Sequence, residues 1–122
     1  MNLDPTSGVP FYRQVTEHLA DQIRTGALAP GATLPSVRAL AQELLVSVIT
    51  VKQAYEALEA DGLVYSQQGR GTFVAPSGAA AARGRVRSVM CTAVRAAVAE
   101  ARTRGVADDE LRDLLLLCLE PE

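Results

Sequence analysis

The chain is poor in the residues on which most enzyme chemistry depends. Its 122 residues contain no tryptophan and only five other aromatic side chains, so a core has to be built from Leu, Val and Ala. A single histidine, His18, and two distant cysteines, Cys91 and Cys118, leave nucleophilic and zinc chemistry without raw material. No set of residues reads as catalytic, and the expectation is a chain that is not an enzyme and holds no metal and no cofactor. His18, beside Leu19 in a helical pattern, reads as a surface or core-edge residue, and the cysteines read as buried small hydrophobes. No run approaches the ~18 uncharged apolar residues of a membrane span. The opening Met1-Asn2-Leu3-Asp4-Pro5 lacks the basic flank and apolar run of a signal peptide, which leaves a soluble cytoplasmic chain as the expectation.

A surplus of positive charge is also missing. The net charge is −2, which at first argues against a nucleic-acid partner. Its distribution weakens that argument. Arg83, Arg85, Arg87, Arg95, Arg102 and Arg104 face only Glu100 between residues 83 and 104, whereas residues 108–122 hold six acids against Arg112. Two such blocks can neutralise each other across a helical hairpin, leaving the net figure silent about any local surface.

What is present is apolar periodicity. Phe11, Val15, Leu19 and Ile23 repeat every four residues behind Pro10, and Gly26 follows, which predicts a helix over 10–25. Ser36 caps a short second helix with Val37, Leu40, Ala41 and Leu44 inward; Ser47 caps a third, from Val48 to Asp61, with Val51, Ala54, Tyr55 and Leu58 inward. A short helix, a turn of about three residues and a longer helix form a helix-turn-helix pattern. The period then changes to two short strands, Leu63–Ser66 and Thr72–Ala75, around a five-residue loop from Gln67 to Gly71.

Pro76-Ser77-Gly78 and the alanines after it mark a boundary, with 77–84 read as a linker. A fourth helix from about Arg85 carries Val86, Val89, Met90, Ala93, Val94 and Ala97 as one stripe. Gly105 stops it, Asp108-Asp109-Glu110 favours a new helix start, and Leu111, Leu114, Leu115 and Cys118 lie in a nearly all-apolar fifth helix. More apolar surface than two helices can hide in each other reads as an oligomerisation element over 85–122. Packing of these helices back on the first domain is the alternative. The fold class is mainly α with a small β-hairpin: a winged helix-turn-helix domain over 1–76 and a two-helix tail.

Several blocks in this order resemble the GntR family of transcription regulators. They are Pro10-Phe11-Tyr12-Arg13-Gln14, Leu34 to Ala41 (LPSVRALA), Thr50 to Leu63 (TVKQAYEALEADGL) and Gly69-Arg70-Gly71-Thr72-Phe73-Val74. The short tail resembles the YtrA-type branch, whose likeness implies transporter operons as targets. The resemblance implies a homodimeric repressor that binds double-stranded DNA at a palindromic operator, with half-sites ~34 Å apart. It also implies that Arg38, two residues past the cap Ser36, contacts DNA. Leu45 stands where the family has glycine; either the turn is strained there or it is built differently. Val48 and Ile49 are apolar where many relatives are polar or basic.

On this reading Ser36, Arg38, Ser47, Val48, Ile49, Thr50, Lys52 and Gln53 are the candidate DNA-binding residues of the two helices. Hydroxyls bond phosphate or bases, Lys favours phosphate or guanine, Gln pairs with adenine, and Val48 or Ile49 can meet a thymine methyl. Turn packing is the equal alternative for Val48 and Ile49, and capping comes first for Ser47. Tyr55 reads as core, with its hydroxyl free to reach a phosphate. Gln68, Gly69, Arg70 and Gly71 form the wing tip, where glycines let the backbone approach phosphate and Arg70 enters the minor groove or clamps a phosphate. The same Gly-Arg-Gly is no nucleotide cradle, because the third glycine of a dinucleotide fingerprint and the Gly-Lys-Ser/Thr of a phosphate loop are both absent. A protein-interaction module without specific DNA binding remains the alternative. No convergent polar cluster identifies a small-molecule effector, and that question stays open.

Overall fold

A computed structural model describes residues 1–120; residues 121 and 122, the end of the expected tail segment, lie outside the described residues. The elements in order are α1 (Phe11–Thr25), α2 (Val37–Leu44), α3 (Val48–Ala60), β1 (Val64–Gln67), β2 (Gly71–Val74), α4 (Gly78–Thr103) and α5 (Asp108–Leu119). The chain divides into two compact units, Met1–Arg85 and Val86–Glu122.

The first unit is a winged helix. The four-residue repeat of α1 places Val15, Leu19 and Ile23 in its core, where they meet Leu40 and Ala41 of α2 and Val51, Ala54 and Leu58 of α3. Pro10 precedes α1 as its N-cap residue rather than opening the helix. Thr16, the buried polar side chain of this unit, is satisfied by donating its hydroxyl to the Tyr12 carbonyl at 2.7 Å. Antiparallel β1 and β2 pair from Val64↔Val74 to Gln67↔Gly71, one pair further toward the tip than the sequence predicts. The connecting loop is therefore Gln68-Gly69-Arg70. Tyr65 and Phe73 stack across the hairpin with ring centroids 5.6 Å apart.

Two features lie outside the sequence reading. Residues 31–34 form a third, irregular edge on β2: the Leu34 N–H donates to Thr72 O at 2.8 Å, the Val74 N–H to Ala32 O and the Gly31 N–H to Val74 O. Segment 77–84, expected to be a linker, is helical from Gly78, so α4 starts about two turns before the predicted Arg85. Its first turns close the core of the first unit, with Gly78 and Ala82 buried. A Cβ at Gly78 would stand 2.8 Å from the Leu63 carbonyl oxygen and 3.1 Å from Val74 Cγ1, so only glycine allows this approach. Arg85 then secures the helix, donating to both Glu17 carboxylate oxygens at 2.8 Å and to Asp61 Oδ2 at 3.1 Å. That hydrogen bonding holds the Glu17 carboxyl below its ordinary value of 4.5, against the opposing effect of desolvation.

The second unit has no buried residue among those described. Val98, Ala101, Val106 and Leu111, half-buried, cluster around the turn between α4 and α5. Arg102 pairs with Asp108 across that turn at 3.2 Å, and the three acids of the first turn of α5 stand where its dipole is positive. Cys91 and Cys118 are exposed in the single chain, contrary to the expectation of buried thiols, because no core exists here to receive them.

Candidate nucleic-acid interface

Two capped helix starts build the site. Ser36 Oγ accepts the Ala39 N–H at 3.1 Å and Ser47 Oγ accepts the Thr50 N–H at 3.1 Å, each satisfying one of the free donors of the first turn. The Ser47 and Thr50 hydroxyls also bond each other at 2.8 Å, so Ser47, which caps the helix, retains capacity for one further partner and Thr50 for two. Arg38, on the first turn of α2, is exposed. On α3 Ile49, Lys52 and Gln53 are exposed at spacings of three and four residues, which places them along one face. Glu56, whose acid charge opposes phosphate, continues that face.

The turn between α2 and α3 takes the strained form of the two considered. Leu45 has φ 57° and ψ 43°, the only positive φ of a non-glycine among the described residues. A leucine held there costs ~1–2 kcal/mol relative to a right-handed backbone. It gains nothing from burial, being 90% exposed, and Val48 at 44% and Ile49 at 68% extend the apolar surface onto α3. The turn thus leaves Ile49 largely open and covers part of Val48. Arg38, Ala41, Gln42, Leu45, Val46 and Val48 line one open cleft of about 500 Å³, which brings the α2 arginine and the head of α3 together.

Tyr55 corrects an expectation. Its hydroxyl donates to the Pro35 carbonyl at 2.7 Å and the residue is buried, so the hydroxyl is not free for a phosphate. Burial pushes its pKa up to about 12, so it stays a donor and ties α3 to the residue preceding the cap of α2. This bond sets where Arg38 stands relative to α3. At the wing tip the Arg70 N–H closes a turn on the Gln67 carbonyl at 2.9 Å, and Gly69 supplies the positive φ of 79° that the turn needs. Gln68, Gly69, Arg70 and Gly71 are all exposed. Arg38, Lys52 and Arg70 make no ion pair among the described residues; neither do Arg13 and Arg83, so it is their place at the helix heads and the wing that sets the three apart.

The tail residues singled out from the sequence are mostly open to solvent. Val86, Val89, Met90, Val94, Leu114 and Leu115 are 39–54% exposed, Ala93, Ala97 and Cys118 are exposed, and Leu111 alone is half-buried. Leu116, Leu117 and Leu119, outside that set, are more exposed still.

Residues 11–74 match the family described as bacterial regulatory proteins, gntR family. The HTH-type transcriptional repressor NagR of Bacillus subtilis is 45% identical over 74 residues, covering 61% of this chain and 30% of that protein. The chain thus spans less than a third of that curated relative. The structure of YtrA from Sulfolobus acidocaldarius, described as a GntR-family transcription factor, is similar with a TM-score of 0.62 and 31% identity, covering 77% of this chain and 96% of that one. The DNA-binding domain of AraR, solved in complex with operator ORE1, is similar with a TM-score of 0.54 and 38% identity over 60% of this chain and 89% of that one.

Proposed function

The chain is a YtrA-like member of the GntR family of bacterial regulatory proteins, and from that premise we propose that it is a sequence-specific, DNA-binding transcriptional repressor of the cytoplasm. It acts as a homodimer on a palindromic operator and carries out no catalysis. The observation that carries this reading is the cation set Arg38, Lys52 and Arg70: exposed, unpaired among the described residues, and placed at the heads of two helices and on the wing. In this reading α3 enters the major groove with Ile49, Lys52 and Gln53 toward base edges, while Arg38 and Arg70 engage phosphate or groove edges. Ser36 and Ser47 add phosphate contacts beside their capping bonds, Thr50 adds one from its hydroxyl, and Gly69 and Gly71 let the wing backbone approach the duplex. The similarity to the AraR domain, solved in complex with an operator, supports DNA as the partner.

The dimer reading rests on the tail. A 12-residue helix with no buried residue is marginal in water on its own, and a partner that covers its apolar face would stabilise α5. A second copy supplies matching stripes from α4 and α5 and covers Val86, Val89, Met90, Val94, Leu114 and Leu115.

Selection of duplexes from a random pool by the full chain at moderate salt tests the proposal. Enrichment of a palindrome is expected; its absence would favour a protein-interaction module. Arg70→Ala is expected to weaken binding across sequences and to flatten the salt dependence by about one unit of slope if Arg70 clamps a phosphate.

A further inference from the structure

The cleft at the head of α3 has a character that the cation set does not explain. Four of its six lining residues, Ala41, Leu45, Val46 and Val48, are apolar. Leu45 holds a left-handed backbone that glycine would adopt without strain, yet its side chain is almost wholly in solvent. Strained backbone of this kind clusters at functional sites.

Resting on the reading of α3 as a recognition helix in DNA, we propose that this cleft seats the 5-methyl group of a thymine, held by Leu45 and Val48 beside Arg38. The major-groove edges of the four base pairs present hydrogen-bond donors, acceptors and one prominent apolar group, the thymine methyl. An apolar cleft at the head of a groove-entering helix therefore has one complementary feature to meet there. Arg38 in the same lining and the positive end of α3 complement the flanking phosphate, which distinguishes this cleft from a seat for an apolar peptide. Sequence preference then comes in part from shape and desolvation of a methyl group.

The test uses the full chain and a palindromic duplex enriched by selection. Each thymine is replaced singly by deoxyuridine, which removes the methyl and keeps every hydrogen bond. One position per half-site is expected to lose about fourfold in affinity, the value of one buried methyl. Val48→Ala and Leu45→Gly should each reduce that penalty below twofold, while Leu45→Gly melts at a higher temperature than the parent. Tolerance of deoxyuridine within twofold at every position, with the palindrome still bound, would overturn the proposal. So would an unchanged penalty in both variants, or a lower melting temperature for Leu45→Gly, which would make that leucine structural. Failure to bind any palindrome would instead remove the DNA-binding reading on which it rests.

Discussion

Between Met1 and Arg85 fifteen hydrophobic side chains are buried, whereas from Val86 onward no described residue is. The two units have opposite relations to water. The first closes its core with its own elements, down to the glycine that lets α4 approach β2 and the arginine that secures it. The second keeps its valines and leucines in solvent, a pattern that marks an interaction surface when the patch is contiguous. Self-sufficiency and dependence on a partner are thus built into one short chain, and each can be attacked separately.

The largest effect is expected from cutting the chain after Arg85. The remaining unit should stay folded and become monomeric, losing ~10²–10⁴-fold in palindrome affinity with the avidity of the dimer. Sedimentation and mobility-shift assays check it, and a fragment that still sediments as a dimer would end the tail-dimer reading. Gly78→Val comes next: a side chain forced against the Leu63 carbonyl should destabilise the first unit by ~3 kcal/mol or more in thermal melting while leaving tail association intact.

Arg85→Met is milder. Its carboxylate partners are nearly half exposed, so a loss of ~1–2 kcal/mol is expected, below that of a fully buried pair. The pH dependence carries a sign. The folded pKa of Glu17 is lowered, so its contribution is fully present above the ordinary value of 4.5 and is lost as pH falls through the folded value below it. Arg85→Met should flatten the fall in stability in that acid range, read from melting temperatures between about pH 5 and pH 3. Arg38→Ala should leave the melting temperature unchanged within ~0.5 kcal/mol and weaken operator binding by ~1–3 kcal/mol, since the side chain is exposed and unpaired. A large stability loss would show that it belongs to the core after all.

The first three helices were legible because α1 repeats its apolar residues every four positions and because Ser36 and Ser47 announce two helix starts. Leu45 stood out for a different reason, through the resemblance, which has glycine at that position of the turn. The start of α4 was misread: Pro76-Ser77-Gly78 punctuates like a loop, although the alanines that follow are the strongest helix formers. Gly78 is needed for close packing, which no local pattern reveals. The pairing of residues 31–34 with β2 was equally hidden, since tertiary placement, rather than strand propensity, makes a Gly-Ala-Thr-Leu segment extended. Of the site, the positions could be named, but the engagement of the Tyr55 hydroxyl by Pro35 and the joining of Arg38 with Val48 in one cleft required coordinates.

The pairing of Tyr65 with Phe73 and the burial of Tyr55 have an optical consequence. All five aromatic residues, Phe11, Tyr12, Tyr55, Tyr65 and Phe73, lie before Arg85, and the chain has no tryptophan. Near-ultraviolet circular dichroism and tyrosine emission therefore see the winged domain alone, while far-ultraviolet ellipticity also counts α5 and most of α4. Dilution of the protein through dissociation of the tail should dim the far-ultraviolet signal and leave the near-ultraviolet spectrum in place, so one cuvette separates the fate of each unit without a label.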